Sequence, residues 1–151
     1  MFSLFKKKPL FTPEQNHLVV QAIQEAERHT SGEVRVFVES KCSYLDPLDR
    51  AIEIFDQLKM AATFNRNAVL LYVALKDRQL AVYADKGIHE IVGEQHWQMA
   101  VNTMIHHFNK ENYVEGISSC VRQIGDALNE HFPYDANTAK NELPDDIIFG
   151  K

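Results

Sequence analysis

Apolar residues change their spacing along this chain, and each change predicts an element. Leu18, Val19, Ala22, Ile23 and Ala26 recur at helical spacing. Thr12-Pro13-Glu14-Gln15 opens that helix, with a cap at Thr12, proline at the first helical position and Gln15 completing a capping box. His29-Thr30-Ser31-Gly32 stops it, with Gly32 expected to take the left-handed turn. Glu33 to Glu39 then alternates valine with Glu, Arg and Phe, which predicts a strand with unlike faces. After a loop from Ser40 to Leu45, Asp46-Pro47-Leu48-Asp49 opens a second helix whose apolar stripe is Leu48, Ile52, Phe55 and Leu58.

Residues 67–75 form a nearly continuous apolar run, the mark of a central strand covered on both faces. Lys76-Asp77-Arg78 is a polar turn, and Gln79 to Ala84 returns as a strand, so the two pair as a hairpin. Asp85 to Glu90 enters a short helix or turn. Two longer amphipathic helices follow, one carrying Trp97, Val101, Met104, Ile105 and Phe108, the other Val114, Ile117, Val121, Ile124 and Leu128. Phe132-Pro133 closes the helical part. A polar tail follows, with an apolar patch at Ile147-Ile148-Phe149 that orders where it docks. Few strands and many helices imply an α/β domain with helices packed on a small sheet.

Composition narrows this picture. A chain of 151 residues favours one domain, and that size buries roughly 68–70% of the unfolded chain's surface. Expected boundaries are a flexible N-terminus over 1–11, the domain over 12–132 and a partly ordered tail over 133–151. The net charge is −5, and Lys6-Lys7-Lys8 is the one obvious cationic run. Nucleic acid, which needs clustered cations, is therefore not an expected partner. The apolar start of MFSLFKKKPLF precedes its lysines and is too short for a secretory leader, and no run approaches the ~18 apolar residues of a membrane span. No stable membrane anchor is expected. Cys42 and Cys120 form no CxxC, so a reducing, cytoplasmic setting is expected.

Candidate chemistry gathers around strand ends, where open α/β sheets bind ligands. Glu39 ends one strand and Asp85 another, Asp46 and Asp49 start the second helix, and Glu90 follows Asp85. If the first and third strands run parallel, these carboxylates share a rim suited to Ca²⁺ or Mg²⁺, with amide oxygens from Asn65 and Asn67. Asp46 is also explained as a helix cap and Asp49 as a first-turn acid. Asp85 has no capping role to explain it, which makes it the leading candidate.

Other chemistries lack a residue. His89-Glu90 begins an HExxH motif without the second histidine, and His106 and His107 face different ways on a helix. Cys42 lies near a helix start, but a phosphate loop would want arginine where Leu48 stands, and Arg50 is two positions on. Neither GxSxG nor a Walker A sequence occurs.

Thr30-Ser31-Gly32-Glu33-Val34-Arg35-Val36, Asp46-Pro47-Leu48-Asp49-Arg50-Ala51, Arg66-Asn67-Ala68-Val69-Leu70, Asp85-Lys86-Gly87-Ile88-His89-Glu90 and Glu115-Gly116-Ile117 occur in an order and spacing that resembles the TPM domain family. That family is known from thylakoid-lumen, photosystem-repair and bacterial proteins, and the resemblance covers about residues 12–132. The endings His131-Phe132-Pro133 and Asn141-Glu142-Leu143-Pro144-Asp145 look like a stand-alone bacterial subgroup. Ala68 stands where the family usually has glycine.

The resemblance implies a three-layer α/β/α sandwich around a small central mixed sheet, with crossing loops at one end. It implies divalent-metal binding there and, for some members, hydrolysis of phosphomonoesters. The expected metal residues are Asp85, Glu39, Asn67, Asp46 and Glu90, holding Ca²⁺ or Mg²⁺, with a phosphomonoester as substrate. Other members resemble assembly or maintenance factors, so a non-catalytic module with a protein partner is the alternative.

Overall fold

A computed structural model describes residues 10–135 and 146–150. The expected ending at 141–145 and nearly all of the expected flexible N-terminus lie outside these residues. The chain runs α1 (Pro13–Glu27), β1 (Glu33–Glu39), α2 (Pro47–Gln57), β2 (Ala68–Ala74), β3 (Gln79–Ala84), α3 (Lys86–Val92), α4 (Glu94–Asn109), α5 (Tyr113–His131) and β4 (Ile148–Phe149). The strands form one mixed sheet in the order β3-β2-β1-β4. β1 is parallel to β2 and β4, while β2 and β3 are antiparallel. The crossover through α2 makes the first pair parallel and the tight turn makes the second antiparallel, as chain connectivity requires.

Two apolar cores lie on opposite faces of the sheet. Val34, Val36 and Val38 of β1 and Val69, Leu71 and Val73 of β2 face α1, α4 and α5. Leu70 and Tyr72 face Ala51, Ile54 and Phe55 of α2. The three-layer α/β/α sandwich is thus the observed architecture. Thr12 caps α1 through the expected capping box, with Pro13 in the first turn. Phe11 is already buried and packs edge-on against Phe149, with ring centres 5.9 Å apart. The apolar patch of the tail docks as β4, where Ile148 registers with Phe37 and the Gly150 N–H donates to the Val38 carbonyl.

β1 has the expected unlike faces, with Val34, Val36 and Val38 in one core and Phe37 in the other, and all seven of its residues are buried. Two local expectations need correction. The α2 stripe is Ala51, Ile54 and Phe55, and Ile52 is exposed, because α2 presents a face rotated from the expected one toward β2 and β3. Gly32 is not left-handed; Gly93 is the described glycine with positive φ. Gly32 instead sits at a close approach, where a Cβ would lie 2.6 Å from Leu128 Cδ2 and 3.2 Å from the Asn67 carbonyl oxygen.

Candidate functional site

Sheet register separates the two leading carboxylates. Glu39 pairs with Ala74, which pairs with Gln79, so Glu39 and the start of β3 share one end of the sheet. Asp85 follows the last residue of β3, and its N–H donates to the Ala68 carbonyl at the other end. Six residues of strand separate those ends, about 20 Å. The condition for a shared rim fails because β3 runs antiparallel to β1. Glu39 and Asp85 are not two ligands of one ion.

Each carboxylate has its own arginine. The guanidinium of Arg50 grips Glu39 at both oxygens, Nε to Oε2 at 3.0 Å and Nη2 to Oε1 at 3.1 Å. The Tyr72 hydroxyl also donates to Glu39 Oε2. Arg50 extends the network to Glu53, which accepts from the Tyr44 hydroxyl. Hydrogen bonding to Glu39 raises the Arg50 pKa, and burial followed by the bond to Glu39 raises that of Tyr72. The bond from Tyr44 and the charge of Arg50 hold the Glu53 carboxyl below its usual range.

Asp85 has two engagements. Arg66 donates Nε to Oδ2 at 2.6 Å and Nη2 to Oδ1 at 2.8 Å. The expectation that Asp85 lacks a capping role is also corrected, because it is the N-cap of α3 and Oδ1 accepts the Lys86 N–H at 2.7 Å. Arg66 reaches this position from a left-handed backbone with φ 52°, a conformation costly for a non-glycine residue and kept only where surrounding structure fixes it. Gly87 provides part of that structure, since its N–H donates to the Arg66 carbonyl at 2.8 Å.

The remaining candidates disperse. Asp46 caps α2 through Oδ1 on the Leu48 N–H, as expected. Asn67 shares the Asp85 end of the sheet but is buried, with Nδ2 3.5 Å from Ser31 Oγ and Oδ1 lacking a partner among the described residues. Glu90 is exposed on α3. Among the described residues no three His, Cys, Asp or Glu side chains are grouped to hold a metal ion. As one donor set the five residues do not fit a divalent cation, because they are spread over the sheet and two are ion-paired to arginine.

What the fold does bring together is a groove of about 890 Å³ along β3. Residues 80–86 form its floor, Asp46, Pro47 and Leu48 of the α2 start form one wall, and Glu94, Trp97, Gln98 and Val101 of α4 form the other. It contains Asp46 and the Arg66–Asp85 pair but neither Glu39, Asn67 nor Glu90. Trp97 is 4% exposed, and its indole N–H has no acceptor among the described residues.

Sequence spacing pointed to neither Arg50 nor Arg66. Arg50 follows Asp49, an acid it does not pair with, and Arg66 stands between Asn65 and Asn67, whereas the actual partners are 11 and 19 residues away. Trp97 was legible as a core residue, and its status as the single tryptophan was the available signal.

A three-layer α/β/α sandwich with an α-flanked groove on its edge strand defines the class of domain. The TPM domain family matches residues 5–127, and the chain belongs to that family. Its fold is similar to the solution structure of the BA42 protein from the psychrophilic bacterium Bizionia argentinensis, at 36% identity and TM-score 0.86, covering 97% of this chain and 99% of that one. The N-terminal domain of the cg2496 protein from Corynebacterium glutamicum matches at 10% identity and TM-score 0.65 over 89% of this chain and 84% of that one. The N-terminal domain of a protein from P. gingivalis matches at 21% identity and TM-score 0.62 over 83% of each. These last two show the fold alone. No curated protein matches the sequence. Among the described residues, no helix is long and apolar enough to cross a membrane.

Proposed function

We propose that this TPM domain is a non-catalytic interaction module that docks a segment of another protein in the groove along β3. The observation that carries this reading is the groove itself, an edge strand recessed between α2 and α4. The carboxylates best placed for chemistry are engaged by Arg50 and Arg66. Among the described groove residues no nucleophile is paired with a base, the minimum constellation for covalent or general-base hydrolysis. A reducing, cytoplasmic setting belongs to the proposal, and the two free cysteines are consistent with it.

A second reading, a Ca²⁺- or Mg²⁺-dependent phosphomonoester hydrolase, is favoured by one observation: Asp46 and Asp85 line the same groove. It requires Asp85 to exchange Arg66 for the cation. Hydrolysis of p-nitrophenyl phosphate, measured with added Mg²⁺ or Ca²⁺ and then with chelator, separates the two. The interaction reading expects the buffer rate under every condition. Turnover that needs the metal and falls in Asp46→Asn would replace it with the second reading.

A further inference from the structure

The free edge of β3 specifies how a partner would bind. Because the Asp85 N–H reaches the Ala68 carbonyl, the alternation of an antiparallel ladder turns Gln79, Ala81 and Tyr83 inward toward β2. The backbone N–H and C=O groups of Leu80, Val82 and Ala84 therefore point away from the sheet. No strand pairs with that edge among the described residues. The opposite edge of the sheet is different, because the chain's own β4 covers part of β1.

Natural edge strands are usually protected by a charge, a proline or a bulge. β3 reads Gln-Leu-Ala-Val-Tyr-Ala and has no charge and no proline. What protects it is recession: Leu80, Ala81, Val82 and Ala84 are each 5–7% exposed although no described strand lies beside them. An edge recessed between two helical layers suits a single extended chain better than the edge of a second folded sheet. Above and below the edge the two walls differ. Pro47 and Leu48 offer apolar surface, while Gln98 adds an amide beside the Trp97 ring. On the rim, Asp46 and Glu94 outnumber Lys86 once the Arg66–Asp85 pair cancels.

We propose that β3 accepts a fifth strand: an uncharged, extended segment of a partner protein whose backbone pairs with Leu80, Val82 and Ala84, flanked by basic residues. This rests on the interaction reading above and names its partner chemistry. Successive side chains of a strand point to opposite faces. The segment thus presents apolar residues to Leu48 and hydroxyl or amide residues to Gln98, beside the Trp97 ring. Strand addition of this kind draws affinity from main-chain hydrogen bonds and specificity from alternate side chains.

The test uses the full chain labelled with ¹⁵N and a synthetic peptide of six alternating threonine and valine residues with a lysine at each end. Binding is read from the single tryptophan, by its fluorescence and its indole N–H signal, and from amide hydrogen exchange. The expected result is a shift of the Trp97 signal and at least tenfold slower exchange at Leu80, Val82 and Ala84. Two N-methylated peptides complete the test, one methylated on every threonine nitrogen and the other on every valine nitrogen. In a strand, only one of these sets faces β3, so one peptide should bind at least tenfold more weakly than the parent while the other retains its affinity. If Trp97 shifts but both methylated peptides bind like the parent, strand addition is overturned and groove binding stands. If the parent peptide leaves Trp97 unchanged up to millimolar concentration, both proposals fall.

Discussion

Arg50→Met isolates the role assigned to Glu39. The Glu39 side chain is 6% exposed and accepts two bonds from Arg50 together with one from Tyr72. Removing the guanidinium leaves a buried carboxylate with the Tyr72 hydroxyl as its remaining described donor. Breaking a buried pair from one side costs about 3–5 kcal/mol. The Arg50 side chain is 19% exposed, so water can enter the vacated space and the lower end, about 3 kcal/mol, is expected. For a domain of this size 1 kcal/mol moves Tm by roughly 2–4 °C, which predicts a fall of about 6–12 °C. Urea denaturation of Arg50→Met, Glu39→Gln and the double variant measures the pairing directly. The double variant should be more stable than Arg50→Met, because it no longer buries an unpaired charge. Added Ca²⁺ should rescue none of the three, since only a ligand that prefers the folded state raises stability. An Arg50→Met protein within about 0.5 kcal/mol of the parent, or one that Ca²⁺ restores, would refute the structural assignment of Glu39.

Two further outcomes follow from the same geometry. Gly87→Ala would push a methyl group into the backbone carbonyls of Asn65 and Arg66, so it should destabilise by at least about 2 kcal/mol, the range of overpacked cores, and loosen the Arg66–Asp85 pair; thermal melts and the Arg66 side-chain NMR signals check both. Burial pushes the Cys120 thiol up to about 12, whereas an unfolded thiol titrates near 8.5. The unfolded chain therefore loses its proton first, and stability falls as pH rises through that window, by about 1.4 kcal/mol per pH unit from this group. Denaturation midpoints from pH 8 to 10 should decline more steeply in the parent than in Cys120→Ala, and equal slopes would contradict the assignment.

Much of the fold was readable from periodicity. The limits of β1 and β3 and the cap of α1 follow directly from alternation and capping chemistry. The site was less legible, for two separable reasons. The hairpin of β2 and β3 was itself evident from the sequence, and together with a crossover between β1 and β2 it makes β3 antiparallel to β1. That combination already excludes a rim shared by Glu39 and Asp85, so this part of the site is implicit in the chain's connectivity. The arginine clamps are a different matter. Arg50 and Glu39 meet because α2 folds back over the sheet, and Arg66 reaches Asp85 from a left-handed turn. Neither contact leaves a spacing signature, because each depends on where a turn aims a long side chain. The open edge of β3 is likewise invisible in the apolar pattern, since Leu80, Val82 and Ala84 read as ordinary core and only sheet order shows that no described strand pairs with their backbones.

Residue-resolved NMR on one ¹⁵N-labelled sample, titrated first with Mg²⁺ and Ca²⁺ and then with the threonine–valine peptide, tests the central claim that the groove is a protein-docking site. The account predicts no saturable cation response at Asp46 or Asp85, and peptide-induced shifts confined to the groove, at Leu48, Val82, Lys86 and Trp97. Saturable cation shifts converging on Asp46 and Asp85, with the same groove silent to peptide, would contradict it.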